Sequence, residues 1–292
     1  MDRISINEVS TFRWNFLEDI ARYSTLGFGG IGVWRHKVSD FCDHTVGDAI
    51  RASRLKVSSL QWVGGFTGSD GLSFAEAIED ATTAIRSASI MQAECLIVHP
   101  GSTNGHTHRH AIRLFNAALS ELVPVAQDFG VRLALEPMHS ASGGKFTFVD
   151  QIRSGLDLIE RFPAKSLGIV LDLYYFGCQL ATLADLTANM DRLALVQLAD
   201  RRCVSNCEPN RCLPGRGTIA LGEWFQALEQ ADYRGFYEFE LFGDDIASMD
   251  AFQLLDSLAK YVPAMLDSTL AAKSTASSSD DSPANLSRLD HV

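Results

Sequence analysis

The sequence predicts an α/β fold, a single-domain (β/α)8 TIM barrel, on three observations. Short apolar runs alternate with amphipathic stretches through eight cycles. The length of 292 residues suits one such barrel, which usually needs about 250. Four of the runs, 133–137, 168–173, 193–200 and 236–241, carry an oxygen-bearing side chain near their C-terminal ends: Glu136, Asp172, Gln197 and Glu240.

The elements follow in chain order. Residues 4–9 are strand-like and 16–26 helical, then 30–34 form a second strand and 45–54 its helix. Strand three is 56–63. Its helix, 73–91, places Phe74, Ala77, Ile78, Ala81 and Ile85 on one face. Strand four is 95–99, and the helix 110–129 has Gly130 to cap it. Strand five is 131–136 with helix 150–162, and strand six is 168–173 with a short helix 181–190. Strand seven is 193–200 with helix 222–231, and strand eight is 236–241 with a last helix over 246–266. The barrel domain is set at 1–270. Residues 271–292, rich in Ser, Ala and Asp, read as a disordered tail. A doubly wound sheet is the alternative, but no Gly-x-Gly-x-x-Gly joins the first strand to its helix.

Composition excludes several classes. A net charge of −11 opposes a nucleic-acid binder, which needs a basic face. No apolar run reaches the roughly 18 residues of a membrane span, and the N-terminus has no basic region followed by an apolar one. A cytoplasmic location is expected. The six cysteines make no disulfide framework in a chain this long. Cys203, Cys207 and Cys212 cluster without a fourth partner at zinc-finger spacing and read as free thiols.

Carboxylates that end apolar strands are costly unless something compensates them, and a divalent cation does so directly. If the strands close into a barrel, Glu136, Asp172, Gln197 and Glu240 meet at one mouth, where barrel enzymes keep their chemistry. Three carboxylates and an amide oxygen favour Mn²⁺ or Mg²⁺, one ion per chain, over Zn²⁺. For any one of the four, a salt bridge or a helix cap accounts for it equally well; four successive strands ending in such residues favour the cation.

These residues, with the segment RCLPGRGTIALGEW at 211–224, resemble the xylose isomerase-like TIM barrels over about residues 1–266. That superfamily holds sugar isomerases and epimerases. The resemblance implies metal ligands at Glu136, Asp172, Gln197 and Glu240, and a substrate-contacting Arg211. It also implies proton exchange by Glu136 and Glu240 through an enediolate of a polyhydroxy substrate, phosphorylated or not. Homo-oligomers are common in the family. Two positions depart from it: Tyr175 stands at the His of the usual Asp-x-x-His, and Gln197 replaces a His. Gln197 and the following RCLPGRG resemble the 3-dehydroshikimate dehydratases, so a lyase is the second reading. A non-catalytic binding barrel is the third. LIVHPGS at 96–102 is similar to endonuclease IV, but Tyr175 and Gln197 lack the further His ligands its zinc cluster needs.

His99, Tyr175, Trp34 and Arg35 are expected at the mouth as substrate contacts, with Arg35 suited to an anionic group or to pairing with a neighbouring acid. Lys145 and Arg201 lie within reach of the mouth. Trp14 and Trp62 are assigned to the core rather than to a sugar-binding wall. His106, His108 and His110 are read as solvated polar residues.

Overall fold

The protein, described by a computed structural model over residues 1–179, 181–202 and 210–277, is a closed eight-stranded parallel barrel in the order of the sequence. The strands are β1 (Ile4–Asn7), β2 (Gly30–Trp34), β3 (Lys56–Gly64), β4 (Leu96–His99), β5 (Leu133–Leu135), β6 (Leu167–Asp172), β7 (Leu193–Leu198) and β8 (Tyr237–Phe239). The helices are α1 (Phe16–Thr25), α2 (Asp43–Ala52), α3 (Phe74–Met91), α4 (His108–Asp128), α5 (Ser140–Gly143), α6 (Ile152–Ile159), α7 (Leu173–Phe176), α8 (Ala181–Thr187), α9 (Leu221–Gln230), α10 (Asp244–Ala247) and α11 (Ala251–Ser277). The last helix runs seven residues past the expected start of the tail; residues 278–292, Cys203 and Cys207 lie outside the described residues.

Local chemistry sets the helix starts. Asn15 and Glu18 form a capping box at α1, and Ser73 and Glu76 form one at α3, each satisfying donors that have no partner within the helix. Gly130 adopts φ +68 just beyond α4, as expected of a residue that reverses the chain there.

Side-chain parity divides the strands into two faces. Leu96, Val98, Leu133, Leu135, Ile169, Leu171, Val196, Leu198, Tyr237 and Phe239 join the large core between barrel and helices. The opposite parity carries Ile97, Ala134, Val170, Leu195 and Phe236, a separate cluster that fills the lower barrel. That same inward parity continues upward to His99, Glu136, Asp172, Gln197 and Glu240. Polar groups therefore replace apolar ones at the top of the interior.

Candidate metal centre and cavity

Strand register assembles the floor of the site. Asp172, Gln197 and Glu238 are neighbours across β6, β7 and β8, and Glu240 stands two residues beyond Glu238 on the same inward parity. Carboxylate oxygens of Glu136, Asp172 and Glu240 lie within 4.8 Å of one another, and all three residues are buried. Ligands of one octahedral ion at about 2.1 Å would sit roughly 3 to 4.2 Å apart, so the set needs only a small contraction. Gln197 is fully buried; its amide stands against Glu238 across the strands and helps hold that carboxylate's proton affinity down, while its Oε1 has no donor. An amide oxygen left without a donor among buried carboxylates is costly in a closed protein interior and ordinary in a metal site. The residues thus fit a hard, oxygen-ligated cation.

Each carboxylate has its own partner. His99 Nε2 lies 2.8 Å from Glu136 Oε2. Burial pushes the His99 imidazolium down to about 3, so the imidazole is neutral and its Nε2 shares one proton with Glu136 Oε2. Asp172 Oδ1 accepts the Tyr174 N–H at 2.8 Å, and its Oδ2 accepts from Arg211 Nη2 at 2.6 Å. Gln61 Nε2 donates to Glu240 Oε1 at 2.8 Å, and Arg211 Nη2 stands 3.2 Å from Glu240 Oε2. Burial raises all three acids. Asp172 then raises Glu136 further, while Arg211 works against the rise at Asp172 and Glu240, leaving Glu240 at about 8.

Among the described residues Arg211 is one of the largest fully buried side chains. Burial alone would weaken its hold on its proton, but the Asp172 and Glu240 carboxylates outweigh that and keep it charged. Asp200 explains how the loop delivers it. The Asp200 carboxylate accepts four backbone N–H groups: Arg201 and Ile219 on Oδ1, Gly215 and Gly217 on Oδ2. Asp200 also pairs with Cys212 through backbone hydrogen bonds in both directions. Gly215 needs its φ of +76. A Cβ on Gly217 would fall 2.2 Å from Asp200 Oδ1. The Pro-Gly-x-Gly turn is therefore shaped around Asp200.

Above this floor opens a cavity of about 800 Å³. His99, Tyr175, Trp34 and Arg211 line it as expected from the sequence, as does Lys145. Arg35 does not. Its guanidinium forms a two-pronged pair with Asp80 at 2.7 and 2.9 Å and donates to the Trp62 carbonyl, so it serves as a tie between β2 and α3. Trp62 packs on the inner core as expected and is also a cavity wall; its ring lies 4.7 Å from His99 and 6.0 Å from Phe146. Trp14 packs on Phe252 away from the cavity. Arg201 donates to the Tyr174 carbonyl and stays outside the cavity. His106 stacks on His110 and contacts the Thr67 carbonyl.

Two polar residues escaped the sequence reading. Gln61 stands among serines on a strand with no distinguishing pattern. Glu238 accepts from Asn7, Ser58 and Ser59 one layer below Glu240, and Gly32 leaves it room, since a Cβ there would lie 2.5 Å from Glu238 Oε2. Its signal was available: it shares the inward parity of Glu240 in the run 236–241.

Known proteins fit this picture. A probable ketose 3-epimerase of Synechocystis is 28% identical over 114 residues, 38% of this chain and 36% of that protein. An inosose isomerase of Halalkalibacterium halodurans is 22% identical over 217 residues, 72% of this chain and 76% of that protein. The crystal structure of IolI protein with a bound zinc atom superposes with a TM-score of 0.78 at 17% identity, over 91% of this chain and 99% of that one. The family model for the xylose isomerase-like TIM barrel matches residues 20–262, and the chain belongs to that family.

Proposed function

We propose that this protein is a divalent-metal-dependent isomerase or epimerase of a polyhydroxy ketone or aldehyde. The observation that carries the reading is the buried trio Glu136, Asp172 and Glu240, two of which, Glu136 and Glu240, line one cavity; Gln197, opposite Asp172 on the next strand, has an amide oxygen without a donor. Glu136, Asp172, Gln197 and Glu240 would hold one ion, with Mn²⁺ or Mg²⁺ suiting the all-oxygen set. The ion, when bound, polarises the substrate carbonyl and acidifies the neighbouring C–H.

The chain's own residues move the proton. Glu136 and Glu240 take it from the carbon beside the carbonyl and return it. Return to the opposite face of the same carbon gives an epimer; return to the neighbouring carbon gives the aldose–ketose pair. His99 orients Glu136 and Gln61 orients Glu240 through their hydrogen bonds. Tyr175 keeps its phenol proton, because burial raises it well above the usual tyrosine range, and it stands ready to donate to a substrate oxygen. Trp34, Trp62 and Phe146 form apolar walls that exclude water from the reacting carbon.

The relatives named above are an isomerase and an epimerase, which supports this reading. Gln197 in place of His favours a second one, a dehydration in which the same enolate expels a β-hydroxyl. Calorimetric titration of stripped protein with Mn²⁺ and Mg²⁺ tests the site, on wild type and on Glu136→Ala/Glu240→Ala. One ion per chain, lost in the double variant, is expected. Ketoses, their phosphates and 3-dehydroshikimate in D₂O then separate the reactions: deuterium at the epimerised carbon marks the first, water loss the second. Binding that is missing, or unchanged in the double variant, overturns the enzyme reading and leaves a non-catalytic barrel.

A further inference from the structure

Arg211 occupies a place that a cation would contest. Its Nη2 is 2.6 Å from Asp172 Oδ2 and 3.2 Å from Glu240 Oε2, so one guanidinium nitrogen bridges two of the three clustered carboxylates. Its Nε and Nη1 are buried and make no hydrogen bond. Two orphaned donors are costly, and the residue is held nonetheless. The guanidinium lies over Phe242 at 4.5 Å and Tyr174 at 4.9 Å, support that survives if the carboxylate contacts lengthen.

Charge balance points the same way. Glu136, Asp172 and Glu240, when ionised, carry three negative charges against the single positive charge of Arg211. Arg211 offsets only one of these charges, and the buried Glu238 one layer below adds to the negative field at Glu136 rather than relieving it. By charge over distance, a divalent ion at about 2.1 Å attracts a carboxylate oxygen roughly two and a half times as strongly as a guanidinium at 2.6 Å. The ion wins at the shared oxygens once it has shed its water.

We propose that Arg211 is a built-in surrogate for the cation: it bridges Asp172 and Glu240 in the metal-free protein and yields them when a divalent ion enters. This rests on the metal reading above. Arg211 thereby stabilises the empty carboxylate cluster and lowers its affinity for metal, so that the ion is bound reversibly. The residue acts on the ion through its ligands, which is separate from any contact it makes with substrate.

Isothermal titration with Mn²⁺ on stripped full-length protein tests this. Arg211→Gln is expected to bind Mn²⁺ at least about tenfold more tightly, ~1.4 kcal/mol, while Arg211→Lys, which keeps the charge, stays near wild type. Guanidinium chloride on the order of 50 mM, far below denaturing concentrations, should weaken Mn²⁺ binding in Arg211→Gln, with no such effect from sodium chloride. Unchanged or weaker Mn²⁺ binding in Arg211→Gln overturns the surrogate role while leaving the metal site standing. Wild type that binds no Mn²⁺ overturns both. If Arg211→Gln does not fold, crystal structures of wild type with and without Mn²⁺ decide. The contact from Nη2 to Asp172 Oδ2 should open beyond hydrogen-bond distance in the loaded protein, and a contact that stays closed overturns the proposal.

Discussion

Glu240 shows how surroundings shift the acidity of a common side chain. Burial raises it to about 8, Arg211 restrains the rise, and Gln61 holds one oxygen. Glu240→Gln keeps the shape and an acceptor for Gln61 but removes the charge and the base. Turnover should fall by roughly 10²–10⁴ with an unchanged circular dichroism spectrum; full metal-dependent activity would remove Glu240 from the chemistry. At this scale the buried cluster of Glu136, Asp172 and Glu240 was readable, because a polar residue at the end of an apolar strand is conspicuous. Gln61 and Glu238 were not read, because their importance depends on which strand lies opposite. Glu238 faces Asn7, 231 residues away in sequence.

Among the elements, two loops are tied by buried charge. Asp200→Ala would leave four backbone N–H groups without their acceptor. We expect a loss of ~2–3 kcal/mol in urea unfolding and a higher Michaelis constant, since the same turn carries Arg211. An unchanged midpoint would mean water replaces the carboxylate. Lys37 is the second tie. Its ammonium donates to Asp19 Oδ2 at 2.5 Å and to the Glu8 and Thr11 carbonyls, joining the segment after β2 to the 3-10 turn after β1. Lys37→Met should cost about 3–5 kcal/mol, because it strands the Asp19 carboxylate in the interior. A loss under about 1 kcal/mol, typical of an exposed pair, would show that the network carries little. The Arg211–Trp224 segment was legible as a glycine turn; the reason for its glycines, an aspartate eleven residues before Arg211, was not.

For the whole molecule, the acids at the top of the barrel share one sign of shift. Glu8, Asp19, Glu136 and Glu240 are all raised chiefly by burial. A raised acid contributes stability that is complete below its unfolded value and is lost as pH rises through its folded value. For Glu240 that window runs from the unfolded 4.5 to about 8. The stripped protein should therefore melt lower at pH 9 than at pH 6. Mn²⁺ at about a hundred times its dissociation constant should add ~2.7 kcal/mol and flatten the slope, because the ion stabilises the ionised carboxylates. Scanning fluorimetry with and without chelator checks both. A melting point that rises from pH 6 to 9 in chelator contradicts the electrostatic picture. Among the described residues, no helix is long and apolar enough to cross a membrane.

The amino-acid pattern by itself determined the barrel, the order of its strands and the four ligand candidates. Each of those follows from local periodicity and from polar residues breaking it at a strand end. Tertiary structure alone decided where the long side chains go. Arg35 and Arg211 are both arginines in loops above the strands, yet Arg35 meets Asp80 on α3 while Arg211 reaches inward to Asp172 and Glu240. Trp62 packs on the inner core of the barrel with one side and walls the cavity with the other. A flexible side chain finds its partner across the fold, and periodicity along the chain contains no information about that distance.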